Sequence, residues 1–377
     1  MGWAKRLAWA LCATLAGCAD GEPDALGGAP AAPATRFLAL GDSRGYARVL
    51  ESRPFEFPRD HGAHPEYQSE WWYFTGNLNG GDMRHFGFEL TFFRFALAPR
   101  PSARRSAWAA HQAWMAHLAI TDTADERFLA EERFSRQALG LAGSELEPFR
   151  IWVEDWSITG EGAAFPPIRL SAGTEDAGLA LTLRAEKPPV AHGDDGLDQK
   201  GPEPGNASHY YSLTRLAATG RIRIGEAEQP VTGTAWMDRE WGSSALGTDL
   251  AGWDWFALQL SDGRDLMFYR LRERGGDSSA YSGGSLVAGD GTRRALAATD
   301  VSLRVLDRWT SPTSGARYPV RWELVISGED LRLEITPRIA QQELNLTVRY
   351  WEGAVTAAGF QGGAEITGQG YVELVGY

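Results

Sequence analysis

The sequence predicts an all-β fold built as two β-barrel domains in tandem, and three observations carry the prediction. The first is length: 377 residues exceed what one ordinary core organises, so two domains are expected. The second is composition. Fifteen Trp and 44 Gly suit aromatic-rich strands joined by tight turns, or a large aromatic-lined cavity. The third is an internal repeat. Trp71-Trp72-Tyr73-Phe74-Thr75-Gly76-Asn77-Leu78 aligns with Trp253-Asp254-Trp255-Phe256-Ala257-Leu258-Gln259-Leu260, and a glycine turn follows each. Phe86 and Phe268 then fall at the same offset, and Val231-Thr232-Gly233-Thr234-Ala235-Trp236-Met237-Asp238 aligns with Ile366-Thr367-Gly368-Gln369-Gly370-Tyr371-Val372-Glu373. Each half opens with an aromatic hairpin and closes with a Thr-Gly-x-small-aromatic strand. A meander that closes on itself in this way is a barrel, and about eight strands leave room for one small ligand.

The elements follow in order. Residues 1–18 read as a lipoprotein signal: Lys5 and Arg6 precede the apolar run Leu7–Leu15, which is too short to span a bilayer, and Leu15-Ala16-Gly17-Cys18 resembles a lipobox. Lipidation at Cys18 is therefore expected, with Ala19 after it favouring the outer membrane and a periplasm-facing protein. Cys12 leaves with the signal and Cys18 is consumed by lipid, so no disulfide is expected. Residues 19–54 read as a flexible linker, Ala/Gly/Pro-rich at its start. An N-terminal domain over 55–246 and a C-terminal domain over 247–377 complete the chain.

Strands are expected over Trp71–Leu78 and Arg84–Arg94 around the turn Asn79-Gly80-Gly81-Asp82, and over Trp114–Thr121, Arg150–Ile158, Ile168–Ser171 and Leu179–Arg184. In the second half, Leu258–Leu260 with Asp265–Leu271 and Arg321–Ile326 with Leu331–Thr336 read as hairpins. Phe128–Leu141 alone offers a short helical period. The first half is the longer one, with extra residues after Phe95 and in the polar loop Pro188–Ser208.

Asp60-His61-x-x-His64-Pro65, Glu70-Trp71-Trp72-Tyr73, Tyr210-Tyr211-x-x-Thr214-Arg215, Asp238-Arg239-Glu240-Trp241-Gly242, Gly252-Trp253-Asp254-Trp255 and Gly370-Tyr371-x-Glu373-x-x-Gly376-Tyr377 together resemble the AttH/CrtC family, which includes carotenoid 1,2-hydratases. The resemblance implies two tandem lipocalin-like β-barrel domains, the first of CrtC type, with an apolar site at or between them. In the hydratase branch the resemblance implies His-x-Trp and Tyr-x-Asp, where this chain has Arg239-x-Trp241 and Gly252-x-Asp254. Hydrating an isoprenoid alkene needs a strong proton donor and aromatic walls for the cation. Arg239 cannot supply the proton, because arginine stays charged in proteins.

Strand alternation puts Trp236, Asp238 and Glu240 on one face and Arg239 and Trp241 on the other. Asp238 reads either as half of a structural ion pair or as an acid raised by aromatic burial. Asp254 falls opposite Trp253 and Trp255, as a barrel-mouth group or a perturbed acid. Glu373 holds the repeat position of Asp238, which favours a fold role. Asp238, Asp254 and Trp241 are the candidate catalytic residues. His61, His64, Trp72, Tyr73, Glu89, His117, Tyr210, Arg239, Trp253 and Trp255 are the candidate ligand-binding residues. His61 and His64 have HxxH spacing, and His111 and His117 share a strand face, yet no third ligand is in register, so no metal is expected. Tyr210, Tyr211 and Arg215 are expected to pack and pair inside the first barrel. No nucleophile elbow or phosphate loop is visible, and no cofactor is expected.

The net charge of −12 excludes a nucleic-acid footprint and electrostatic docking on anionic lipid. The functional expectation is an exported lipoprotein that binds an apolar small molecule, isoprenoid or lipid-like, with cofactor-free acid chemistry of the hydratase, isomerase or cyclase kind. The alternative is a non-catalytic carrier, or an accessory protein of a lipoprotein or ABC-type export system.

Overall fold

The computed structural model of the chain describes residues 32–33, 43–100, 106–162, 164–244 and 246–377. Cys18, the signal segment and most of the linker lie outside the described residues.

Among them, β1 (Ala32–Pro33) runs parallel to β23 (Val348–Gln361). Every other pairing is antiparallel, within two sheets. The first sheet begins with the hairpin β2 (Ser69–Asn79) and β3 (His85–Ala96), and continues through β4 (Gln112–Asp122) and β5 (Arg127–Arg136). It then runs through β6 (Ala142–Leu146), β7 (Phe149–Val153), β8 (Trp156–Glu161), β9 (Ala164–Gly173) and β10 (Ala177–Ala185). The short strands β11 (Val190–Ala191) and β12 (Leu197–Gln199) edge the long pair β13 (Ala207–Ile224) and β14 (Ala227–Gly242). Strand β14 returns to pair with β2, so the hydrogen-bonded path starts at β5 and ends at β6, its neighbour in the chain.

The second sheet repeats the plan. It comprises β15 (Leu250–Leu260), β16 (Asp265–Glu273), β17 (Gly283–Val287) and β18 (Arg293–Ala297), then β19 (Val301–Thr310), β20 (Arg317–Ile326) and β21 (Leu331–Pro337). β22 (Glu343–Asn345), β23 and β24 (Ala364–Val375) complete it. Strand β24 closes on β15, and the path ends are the consecutive strands β18 and β19. The repeat is thus structural: β2 and β14 of the first barrel correspond to β15 and β24 of the second. Tyr73 pairs with Asp238 as Trp255 pairs with Glu373.

Each barrel has its own core. Trp72, Phe74, Phe88, Phe92, Trp114 and Trp156 fill the first; Phe256, Phe268, Trp322, Leu324 and Trp351 fill the second. Truncating one of these rings would cost about 3–5 kcal/mol. A third cluster, with Tyr73, Tyr210, Trp236, Trp255, Met267 and Tyr371, joins the outer faces of the two barrels. Alternation explains it: Trp72 and Phe74 point inward, so Tyr73 between them must point outward, and a second apolar face covers it.

Three expectations are corrected. Phe128–Leu141 is not helical; strand β5 pairs residue by residue with β4, which would otherwise lack an outer neighbour, and Leu139 and Gly140 then turn with positive φ. Arg150–Ile158 is a hairpin, broken at Glu154 in the left-handed region. The linker is ordered by residue 43 at the latest. Tyr46 donates to the Ala96 carbonyl at 3.1 Å, Val49 is buried, and Arg53 grips Asp60 through bonds of 2.6 and 3.0 Å.

Candidate active site between the barrels

The segment 55–68 plugs one end of the first barrel, and its two histidines are bound into that plug. His61 lies 2.6 Å from the Tyr211 hydroxyl, and its carbonyl accepts from Trp72 Nε1 at 2.8 Å. Burial, then the Arg239 charge, lowers its pKa to about 3. His64 stacks flat on Trp241 with ring centroids 4.0 Å apart. Its Nε2 donates to Asp60 at 3.1 Å, while Nδ1 accepts from Arg239 at 3.1 Å.

Glu70, fully buried, receives Arg94 and Arg239 and the backbone N–H of His64. Burial alone would raise its pKa, but the two guanidiniums hold it well below the usual range. Arg239 sits 3.9 Å above the Trp72 ring and 5.0 Å from that of Trp241. These residues form an interior ionic plug. His61, His64, Trp72, Arg239 and Trp241 therefore stand apart from the cavity described next, which corrects the expectation that they share a site with Asp238.

Asp254 is placed elsewhere too. It points into the second barrel, where Arg270, Arg272 Nε at 2.9 Å and Tyr377 Oη at 2.7 Å surround it. Its partners are two guanidiniums and a phenol, and it does not line the cavity described next, so its candidate catalytic role is corrected to that of a structural ion-pair centre.

The outer faces of the barrels line a cavity of about 140 Å³. Trp71 and Tyr73 of β2, Phe93 of β3, Tyr210 of β13 and Asp238 and Glu240 of β14 form one wall; Trp253 and Trp255 of β15, Tyr269 of β16 and Glu373 of β24 form the other. Of the expected residues it brings together Asp238, Tyr73, Tyr210, Trp253 and Trp255. Asp238 accepts from Tyr210 Oη at 2.6 Å, from Trp236 Nε1 at 2.6 Å and from Ser212 Oγ. Burial raises its pKa to about 7, against the pull of those three donors. The Tyr210 hydroxyl also accepts from Trp255 Nε1 across the seam at 3.1 Å. Trp253 Nε1 donates to Glu373, whose pKa burial likewise lifts to about 7.

Glu89 and His117 lie just behind this wall. Glu89 is fully buried, accepts from Thr91, and is pushed well above the carboxylate range by burial. His117 is bound between Tyr350 Oη at 2.6 Å and the half-buried Glu132 at 3.1 Å.

Sequence reasoning passed over Lys200, and it weighed Glu240 and Glu373 without naming them as site residues. Lys200 reaches the cavity from the polar loop and pairs with Glu240 and, at 3.4 Å, with Asp198. Nothing in a loop of Gly, Asp and Pro marks one lysine as inward-facing. Glu373 was legible, because alternation places it on the Tyr371 face that meets Tyr73. Arg215, expected inside the first barrel, instead crosses to the second: it holds Asp265 at 2.6 Å, joined there by Lys187 at 2.7 Å and Thr214 at 2.9 Å.

Two barrel-like meanders of one plan, with an acid-bearing aromatic cavity in their seam, define a duplicated lipocalin-like protein. The chain belongs to the AttH-like family, whose model matches residues 48–377. A crystal structure described as an AttH of Nitrosomonas europaea is 33% identical, covers 88% of this chain and 99% of its own, and superposes with a TM-score of 0.78. Kievitone hydratase from Nectria haematococca shares the fold at 15% identity and a TM-score of 0.67, covering 88% of this chain and 95% of its own. CghA does so at 12% identity and 0.53, covering 88% and 96%. No curated protein matches the chain.

Proposed function

We propose that the chain binds a small, largely apolar molecule in the cavity between its barrels and acts on it by acid–base chemistry without a cofactor. One observation carries this reading: an aromatic cavity holds Asp238, a buried carboxyl group served by neutral donors and no cation of its own. Such a group titrates near neutral pH and can lend or take a proton, while surrounding indole and phenol rings favour developing positive charge. Hydration, isomerisation and cyclisation all need these elements, and a hydratase shares the fold. Arg239, in the place of the hydratase histidine, serves the barrel plug, so the acid of this chain is Asp238.

The test uses Nile red, a neutral apolar fluorophore. Wild-type protein is expected to shift its emission to the blue, Trp255→Ala to weaken binding roughly tenfold or more, and Asp238→Asn to retain it. No emission change with folded wild-type protein would overturn the reading. Where a co-purified molecule is found by native mass spectrometry, turnover that survives Asp238→Asn makes the protein a carrier.

We further infer an exported lipoprotein, anchored through Cys18 to the outer membrane and facing the periplasm. Labelling with palmitate should mark the wild-type chain and not Cys18→Ser; label on both would remove the anchor.

A further inference from the structure

Three glutamates meet in the seam outside any ion pair with a described residue. Glu352 of β23 stands directly opposite Glu373 of β24 in the antiparallel ladder. Glu89 of β3 approaches from the other barrel. Glu89 and Glu352 are fully buried, and none of the three forms an ion pair with a described residue. Directly opposed like charges in a low-dielectric seam cannot all ionise, so at least one proton is retained.

The hydrogen bonds locate it. Tyr73 Oη donates to Glu352 Oε2 at 2.9 Å, crossing from the first barrel. The remaining oxygen, Glu352 Oε1, is buried with no hydrogen-bond partner of its own, and the carboxyl group directly across the ladder is that of Glu373. Two carboxyl groups satisfy that contact only if one of them carries the proton. Glu373 then turns its other side to the cavity, where Trp253 Nε1 donates to it.

We propose that Glu373, which accepts a hydrogen bond from a protonated Glu352 across the β23–β24 ladder, is a second proton donor of the cavity and faces a ligand that carries a protonatable group. This rests on the reading of the cavity as a ligand site. On transfer, the O–H bond of Glu373 breaks and the ligand atom takes the proton with its own electron pair. Two protons are involved: Glu352 keeps the one that bridges the pair, so the carboxylate left on Glu373 still accepts a hydrogen bond from Glu352, which acts as a positioning residue. Asp238 on the opposite wall accepts the proton that the ligand, or a water adding to it, gives up, so the cavity can move a proton from one end of a molecule to the other. The other titratable groups facing Glu373 are Glu89 from β3, Tyr73 from β2, Tyr350 from β23, Glu240 from β14 and Lys200 from the loop before β13.

The experiment uses neutral red, an apolar weak base whose colour reports its protonation, with the full chain. Bound to wild-type protein, the dye should stay protonated to a pH about one unit above the free dye, as an adjacent carboxylate requires. Glu373→Gln should bind the dye and lose that shift. Equal colour in wild type and Glu373→Gln, with both binding, overturns the assignment of Glu373. Failure of wild type to bind the dye, or dye that Nile red does not displace, overturns the cavity reading itself. Infrared spectroscopy at pH 8 tests Glu352 independently of any ligand. A protonated-carboxyl band should be present in wild type and diminished in Glu352→Gln, and a band undiminished by that substitution overturns the proton placed on Glu352.

Discussion

The two barrels hold equivalent positions in the repeat and fill them differently. Asp238 and Glu373 stand at the same place on β14 and β24, and the residue across the ladder is Ser212 in one case and Glu352 in the other. Asp238 is therefore served by a hydroxyl, whereas Glu373 is served by another acid. Inside the barrels the contrast reverses. Trp72 and Arg239 in the first correspond to Asp254 and Leu374 in the second, so the first centres its buried charge on Glu70 and the second on Asp254. Duplication preserved the hydrogen-bonded frame and left the side chains free to divide the work: arginine–carboxylate clusters inside each barrel, and the protonatable pair Asp238 and Glu373, neither in an ion pair with a described residue, between them.

The largest expected effect comes from erasing the interior contrast. Arg239→Leu, which installs the second barrel's residue in the first, strips a fully buried carboxylate of one cation and should cost about 3–5 kcal/mol in urea unfolding. Asp254→Asn should cost less, about 2–3 kcal/mol, because Arg270 and Arg272 are partly exposed and can turn toward water. It should leave Nile red binding intact, since Asp254 does not face the cavity; loss of binding by a folded variant would join the two environments that the structure separates.

The seam gives smaller, pH-dependent effects. Ser212→Ala removes a donor that favours the charged form of Asp238, so its titration midpoint should rise by about one unit, followed by carboxyl NMR. Asp238 and Glu373 have folded pKa values of about 7, raised above those of the unfolded chain. The folded protein thus binds more protons than the unfolded chain in between. Their contribution to stability is fully present below about pH 4 and is lost as pH rises through 7. Unfolding free energies should fall from pH 5 to pH 8 with a slope that Asp238→Asn and Glu373→Gln each flatten. A slope unchanged in both variants would mean that neither group is buried as described.

Much of the fold was legible because period-two alternation and the repeat both follow from backbone geometry. The repeat located the barrel-closing strands, and alternation separated the Asp238 face from that of Arg239. Asp254 was the harder case. Its strand face was correct, but the two arginines that neutralise it come from the neighbouring strand β16, where Arg270 stands directly opposite Asp254, and a carboxylate's cross-strand partners are not written in its own strand. Glu373 was set aside because a residue kept in both halves looks structural. A cavity built from both halves makes such a pair face one another, and that follows from the packing of one barrel on the other, which no single strand encodes.

The Tyr210–Trp255 and Tyr73–Glu352 hydrogen bonds, with the Arg215–Asp265 pair, tie the first barrel to the second around the cavity. Neither half owns the site, so neither can evolve, unfold or be excised alone without opening it. A molecule lodged there would act as mortar between two bricks, raising the melting temperature of both halves together and converting any stepwise loss of structure into one transition.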